Sequence, residues 1–344
     1  MEKRQPLIVG SRGSALALWQ TNWALDRLRE QAPQAQFSIE TIRTQGDRTQ
    51  SHNTPLAQLG DKGLFVAELE RALLAGELDA AIQPMNDHAL AVAEAAMQPP
   101  QPDIQPIDAA VHSLKDLPSV VTAGLTLAAI TEREDARDAL VSRRGYTLAE
   151  LPGGATVATS SLRRRAQLLH LRPDLRIVEI RGNVDTRLRK TLAPDGPDAT
   201  ILAAAGLRRL GLGDYITELL PVETLVPAAG QGALAIETRA DDLRARRLLR
   251  RLDSPLTRRA VTAERTVLAT LGGGCLVPLG AHAIPSADGA MLRLLAVVAS
   301  PDGKQFLRVE REGAAQRPVS LGRTVARELL RQGAGEIVRA VLGR

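Results

Sequence analysis

Short apolar runs alternate with amphipathic stretches along most of this chain. Leu7 to Val9 is apolar and ends in Gly10-Ser11-Arg12-Gly13-Ser14. From Ala15 to Arg29, Leu16, Trp19, Trp23 and Leu28 are among the apolar positions, and the spacing is helical. The pattern predicts strand, turn, helix. Phe37 to Thr44 predicts a second strand. Gln45 to Gly63 is polar, contains glycines and lacks a period, which predicts a loop. Leu64 to Leu74 predicts an amphipathic helix with Glu68, Glu70 and Arg71 facing outward.

The triplet Asp79-Ala80-Ala81 recurs as Asp108-Ala109-Ala110, which runs on into Val111-His112-Ser113. Residues 82–110 therefore read as an insertion at a surface loop, where added length costs little closure entropy. The second half predicts strands at Thr156–Thr159, Ile177–Ile180 and Ala199–Ala203, and a helix at Ser161–Leu171. Strands alternating with helices argue for an α/β fold with parallel sheets. From Pro255 the pattern changes to a helix (to Leu271), strands around Leu292–Val298 and Gln305–Glu310, and a helix at Leu321–Gln332, a small α+β module.

Length and charge narrow the classes. A chain of 344 residues suggests two or three domains, at about 100–200 residues each. Aromatics make up 2% of it, so its cores must be aliphatic. No secretory leader and no membrane-length apolar run is legible. The lone cysteine, Cys275, rules out an internal disulfide or a multi-cysteine metal site, so we expect no metal and a reducing cytoplasm. Net charge is +5, carried nearly all by arginine. That fits a solvated basic surface or an anionic partner. Scarce aromatics for base stacking and the lack of a recognition motif argue against nucleic acid.

The candidate chemistry lies at strand ends. Val111-His-Ser-Leu-Lys-Asp-Leu-Pro118 delivers Lys115 and Asp116 side by side after a buried strand, where open α/β sheets bind ligands. Ala158-Thr-Ser-Ser-Leu-Arg-Arg164 joins a strand to a helix start with the hydroxyls of Thr159, Ser160 and Ser161 and the charges of Arg163 and Arg164. Capping accounts for one of those hydroxyls; an anion site accounts for all three. Arg12 and Ser14 make a weaker version at the first helix. Arg181 and Arg187 follow another strand, and Arg209 joins them as a candidate. Several strand-end arginines imply a polyanionic ligand. Cys275 follows Gly272-Gly273-Gly274; it reads as a buried small hydrophobe or as a loop thiol near cations.

Taken in order, Arg12-Gly-Ser14, Leu18-Trp19-Gln20, Lys62-Gly-Leu-Phe65, His112-Ser-Leu-Lys-Asp-Leu-Pro118, Thr159-Ser-Ser-Leu-Arg-Arg164, Arg181-Gly-Asn183, Gly230-Gln-Gly232 and Gly273-Gly-Cys275 resemble the porphobilinogen deaminase family over nearly the whole chain. The resemblance implies two periplasmic-binding-protein-like α/β domains with mixed or parallel sheets and a small α+β C-terminal domain. Their expected bounds are 1–130 with 232–250, 131–231 and 251–344. It implies a cytoplasmic, monomeric transferase that polymerises porphobilinogen on a dipyrromethane cofactor joined by a thioether to Cys275. Asp116 matches the catalytic carboxylate. Ser113, Lys115, Thr159, Ser161, Arg163 and Arg164 match cofactor-binding positions. Arg12, Ser14, Arg181, Arg187, Arg209 and Lys62, the last on a loop over the cleft, match substrate-binding positions. The chain departs from the family in the inserted segment and at Gln58, where many relatives carry a basic residue. The competing reading is an anion-binding module of the same fold without catalysis.

Overall fold

The computed structural model describes residues 6–48, 66–77, 105–272 and 277–343. In chain order it lays down β1 (Leu7–Arg12), α1 (Ala15–Gln31), β2 (Phe37–Ile42), the single turn α2 (Gln45–Arg48), α3 (Ala67–Leu74), β3 (Ala109–Ser113) and β4 (Leu125–Ile130). It then crosses over and builds β5 (Asp138–Ser142), β6 (Thr156–Ala158), α4 (Leu162–Leu171), β7 (Arg176–Val178), α5 (Val184–Leu192), β8 (Ala199–Ala203), α6 (Ala204–Arg209) and β9 (Glu218–Leu220). It crosses back into β10 (Leu234–Arg239) and α7 (Leu243–Leu249). It ends with α8 (Pro255–Thr270), β11 (Leu279–Pro285), β12 (Met291–Ala299), β13 (Phe306–Ala314), α9 (Pro318–Arg331) and α10 (Ala334–Leu342).

The strands form two five-stranded sheets, ordered β2-β1-β3-β10-β4 and β7-β6-β8-β5-β9, and a three-stranded meander β11-β12-β13. The two larger sheets share one plan. In the first, β1 pairs in parallel with β2 and β3, while β10 runs antiparallel to β3 and β4. In the second, β6 pairs in parallel with β7 and β8, while β5 runs antiparallel to β8 and β9. The antiparallel strand of each sheet is the one laid down directly after a crossover. The architecture is the expected one: two α/β units and a small α+β unit. The antiparallel members make both sheets mixed.

Local chemistry sets the element ends. Ser14 caps α1 by accepting from the Ala17 N–H, and Ser161 caps α4 by accepting from the Arg164 N–H. Ser254 caps α8, with Pro255 at its first position, where the missing N–H costs nothing. The inner face of α1 buries Ala24, Leu25 and Leu28 with Leu7, Val9 and Val111 of the first sheet. Each fully buried Leu contributes about 1.5–3 kcal/mol. The second sheet buries Leu140, Val157, Leu168 and Ile201. The meander packs Leu292, Leu294 and Val298 against Val267 of α8 and Val325 and Leu329 of α9.

Two expectations are corrected. Residues 108–110 are not part of a surface loop. Ala109 and Ala110 are fully buried at the start of β3, and Asp108 accepts from the Ile8 N–H at 2.8 Å while pairing with Arg239. Because the triplet occurs twice, the sequence leaves open which copy enters the strand; the second copy does, and most of the remainder of the segment lies outside the described residues. Glu68 does not face outward. It is buried and accepts from the Gln45 N–H at 2.9 Å, tying α3 to α2. A polar residue at an outward helical position turns inward here because a backbone donor of the neighbouring turn needs an acceptor. No helix among the described residues is long and apolar enough to cross a membrane.

Candidate active site

The two crossover segments run side by side between the large sheets. Thr131 N–H donates to Leu234 O and Glu134 N–H to Gly232 O. The carboxyl ends of the parallel strands from both sheets open onto one cleft beside this double strap, the place where ligands meet open α/β sheets.

Lys115 and Asp116 belong to a single 3-10 turn, Leu114–Asp116, directly after β3. Fully buried Leu114 pins that turn, and its N–H donates to Ala233 O at 3.0 Å. Asp116 makes no hydrogen bond or ion pair to any described residue. It shares a pocket of about 390 Å³ with Arg12, Ser14, Gln20 and Ser113. A neighbouring pocket of about 510 Å³, which also touches Gln20 and Ser113, is lined by Lys115, Arg164, Arg187 and Arg209. One cleft therefore gathers eight of the expected site residues, drawn from both large sheets: Arg12, Ser14, Ser113, Lys115, Asp116, Arg164, Arg187 and Arg209.

The electrostatics of the cleft are those of cations whose desolvation outweighs the carboxylates near them. Burial lowers the Lys115 ammonium to about 8, and the Arg164 guanidinium pushes it the same way. Burial lowers Arg187 to about 10, again with Arg164 adding to it. Burial likewise takes Arg209 to about 10. Each loses affinity for its proton because water has gone and too little negative charge has replaced it. Arg12 is better matched, bonded to Asp47 at 2.5 Å.

Arg163 and Arg164 stand differently from expectation. Both are buried, and both clamp Asp138, each at 2.7 Å. Arg163 also donates to Val226 O and Arg164 to Ile201 O. Burial alone would raise the Asp138 carboxyl, but the two guanidiniums outweigh it and hold it far below the usual carboxylate range. Of the pair, Arg164 reaches the cleft wall. The three hydroxyls of the Thr159–Ser161 turn all have partners inside the protein, so the capping reading explains more than one of them. Ser160 donates to Ile180 O, Thr159 accepts from the Ser161 N–H, and Ser161 accepts from the Arg164 N–H. Thr159 and Ser161 act as acceptors in these bonds, which leaves each O–H able to donate.

Arg187 donates to Gly182 O at 2.7 Å, and Arg181 is buried nearby on the same loop. Arg209 donates to Gly232 O at 2.7 Å and lies 5.9 Å over the Trp19 ring, within cation–π range. Lys62, Gln58 and Cys275 lie outside the described residues. Sequence reasoning missed Asp138, Asp47, Gln20 (bonded to Ser113 at 2.9 Å) and Gln231 (bonded to Lys115 at 3.1 Å). For Gln20 and Gln231 the signal was present in the quoted motifs, where neither was given a role; for Asp138 and Asp47 no local pattern marks the partner arginine.

Comparison with known proteins identifies the family. Residues 7–99 and 104–247 match the family model "Porphobilinogen deaminase, dipyromethane cofactor binding domain", and residues 258–331 match "Porphobilinogen deaminase, C-terminal domain". A porphobilinogen deaminase of Pelotomaculum thermopropionicum is 45% identical over 336 residues, covering 98% of this chain and 97% of that one. One of Desulforudis audaxviator is 47% identical over 338 residues, covering 98% of each. Among solved structures, CbnR, a LysR family transcriptional regulator, is similar at 13% identity and a TM-score of 0.38, over 72% of this chain and 70% of that one. A likeness of that size carries no functional argument. The family matches and the near full-length relatives do: this chain belongs to the porphobilinogen deaminase family.

Proposed function

We propose that this chain is the transferase that joins four porphobilinogen molecules into hydroxymethylbilane, on a dipyrromethane primer held by a thioether to Cys275. The observation that carries the reading is the cleft, where the carboxylate of Asp116, without a hydrogen bond or ion pair among the described residues, stands near half-buried Lys115, Arg187 and Arg209. We read the three units as 1–130 with 232–250, 131–231 and 251–344, working as a monomer in the cytoplasm.

A primer made of two substrate units carries acetate and propionate arms on both rings, and the residues present fit such a polyanion. Burial lowers the basicity of Lys115, Arg187 and Arg209, and an entering carboxylate would favour their charged forms. Ser113, Lys115, Thr159, Ser161, Arg163 and Arg164 would hold the primer, with Arg163 and Arg164 acting mainly as the fixed positive wall around Asp138. When bound, the primer supplies the nucleophilic pyrrole carbon to which substrate is added. Arg12, Ser14, Arg181, Arg187 and Arg209, with Lys62, would bind the acetate and propionate arms of substrate.

Asp116 performs the proton work in this reading. Its carboxylate holds the aminomethyl nitrogen of porphobilinogen while the C–N bond breaks and ammonia leaves. It then faces the cationic carbon left behind, a charge that a fixed anion in a water-poor cleft stabilises. After coupling, Asp116 would take the proton displaced from the ring carbon and pass it to solvent, so that with the ammonia released earlier the net by-product is ammonium.

Incubating purified protein with porphobilinogen and following uroporphyrin formation tests the reading; retention of ligand without product favours the binding module instead. Cys275→Ser should leave the intact mass without the two pyrrole units, whereas an unchanged mass increment would remove Cys275 as the anchor. The kcat/KM for porphobilinogen should fall as pH climbs through about 8, because Lys115, which holds the primer, then loses its charge. A flat kcat/KM between pH 7 and 9 would contradict a role for that ammonium.

A further inference from the structure

Gln231 lies on the returning crossover and is 1% exposed. Its side chain touches three separate parts of the fold. Oε1 accepts from Lys115 Nζ at 3.1 Å. Nε2 donates to Ala136 O on the outgoing crossover at 2.7 Å and to Asp138 Oδ1 at 2.9 Å. Asp138 in turn holds Arg163 and Arg164. One amide thus joins the cation at the end of β3 to the carboxylate that fixes the cations of α4. Only this amide orientation works, since a carbonyl and a carboxylate need the donor and an ammonium needs the acceptor.

The backbone around it is held as firmly as the side chain. Gly230 and Gly232 have φ of +77° and +91°, and a Cβ at Gly232 would stand 2.2 Å from Glu134 O. Arg133 Nε donates to Gln231 O at 2.8 Å, and the Arg133 guanidinium is locked by buried Glu264 at 2.6 Å. Neutral glutamine suits the position. A carboxylate there would face Asp138, an ammonium could not accept from Lys115, and an apolar chain would remove one hydrogen bond each from Ala136 O, Asp138 and Lys115.

We propose that Gln231 is a positioning residue, which sets the Lys115 ammonium in fixed register with Arg164 across the cleft so that both meet the carboxylates of one bound anion. The inference rests on the proposed function, because it assumes that Lys115 binds ligand.

A double-mutant cycle on the full chain tests it, read as kcat/KM for porphobilinogen. Gln231→Met, close in volume, should lower kcat/KM roughly ten- to a hundred-fold, the size of a lost hydrogen bond to a charged group. Lys115→Met should lower it at least as much. If Gln231 acts through Lys115, the double variant should be no worse than Lys115→Met alone. The alkaline limb of the Gln231→Met profile should also move to lower pH, which a merely structural role would not produce. Full additivity, or an unmoved limb, overturns the proposal while leaving the cleft reading intact. Lys115→Met without effect overturns both. Should Gln231→Met not fold, Gln231→Glu keeps an acceptor facing Lys115, and its alkaline limb should move to higher pH; no movement overturns the proposal.

Discussion

Asp116→Asn should lower kcat by about 10³-fold, the middle of the range for a lost general acid–base group, while leaving the fold in place. The side chain has no hydrogen bond or ion pair among the described residues, so removing its charge breaks none of these and forfeits only its attraction to Lys115 and Arg187. Surface changes of that kind usually stay within about 0.5 kcal/mol in stability. The expected signature is therefore a silent thermal melt beside a collapsed rate, with KM little altered, since the arms of the substrate are held by other residues. Asp116→Glu, which keeps the charge on a longer arm, should recover part of the rate. Near-normal turnover by Asp116→Asn would move the proton work to another group and leave this cleft as a binding site.

The second large effect belongs to a residue with a structural task. Asp138→Asn should destabilise the protein by about 3–5 kcal/mol, the usual consequence of stranding a buried charge by removing its partner. Two guanidiniums would be stranded at once, because Arg163 and Arg164 both close on this carboxylate at 2.7 Å. A lower Tm and a shifted denaturant midpoint would show it. Asp138 also sets a pH window. Its folded carboxyl lies below the ordinary carboxylate range, so the pair's stabilisation is complete above the unfolded value, near 3.9, and is lost as pH falls toward the folded one. Asp138→Asn should therefore show a shallower acid limb of stability than the parent. A variant as stable as the parent would mean that the two arginines find water or other acceptors when Asp138 is neutral.

The parts of this protein that could be read from its sequence are those written locally. Ser14 and Ser161 announce helix starts, and the apolar runs at Leu7–Val9 and Ala199–Ala203 are strands as expected. The ordered motifs mark Lys115, Asp116, Arg164, Arg187 and Arg209 as candidates, and all five line two neighbouring pockets of the cleft. What stayed hidden depends on partners far along the chain. Arg164, on helix α4, looks like a free cation until Asp138, on β5, is seen against it. Gln231 and Lys115 are 116 positions apart. Glu68 looks solvent-facing by helical phase because the donor it serves, Gln45 N–H, lies on a different element. The antiparallel direction of β5 and β10 was equally illegible, since strand direction is fixed by the route of the chain and not by alternation of residue types.

That route has a consequence for synthesis. In the sheet order β2-β1-β3-β10-β4, β4 has no neighbour except β10 among the described residues. A ribosome that has delivered Ile130 has therefore made four strands that cannot close, and the missing one ends at Arg239. The other large sheet needs nothing beyond Leu220. The later-encoded half is thus the first able to finish on a nascent chain, and the N-terminal half must wait, with one strand edge bare, for its last piece to emerge.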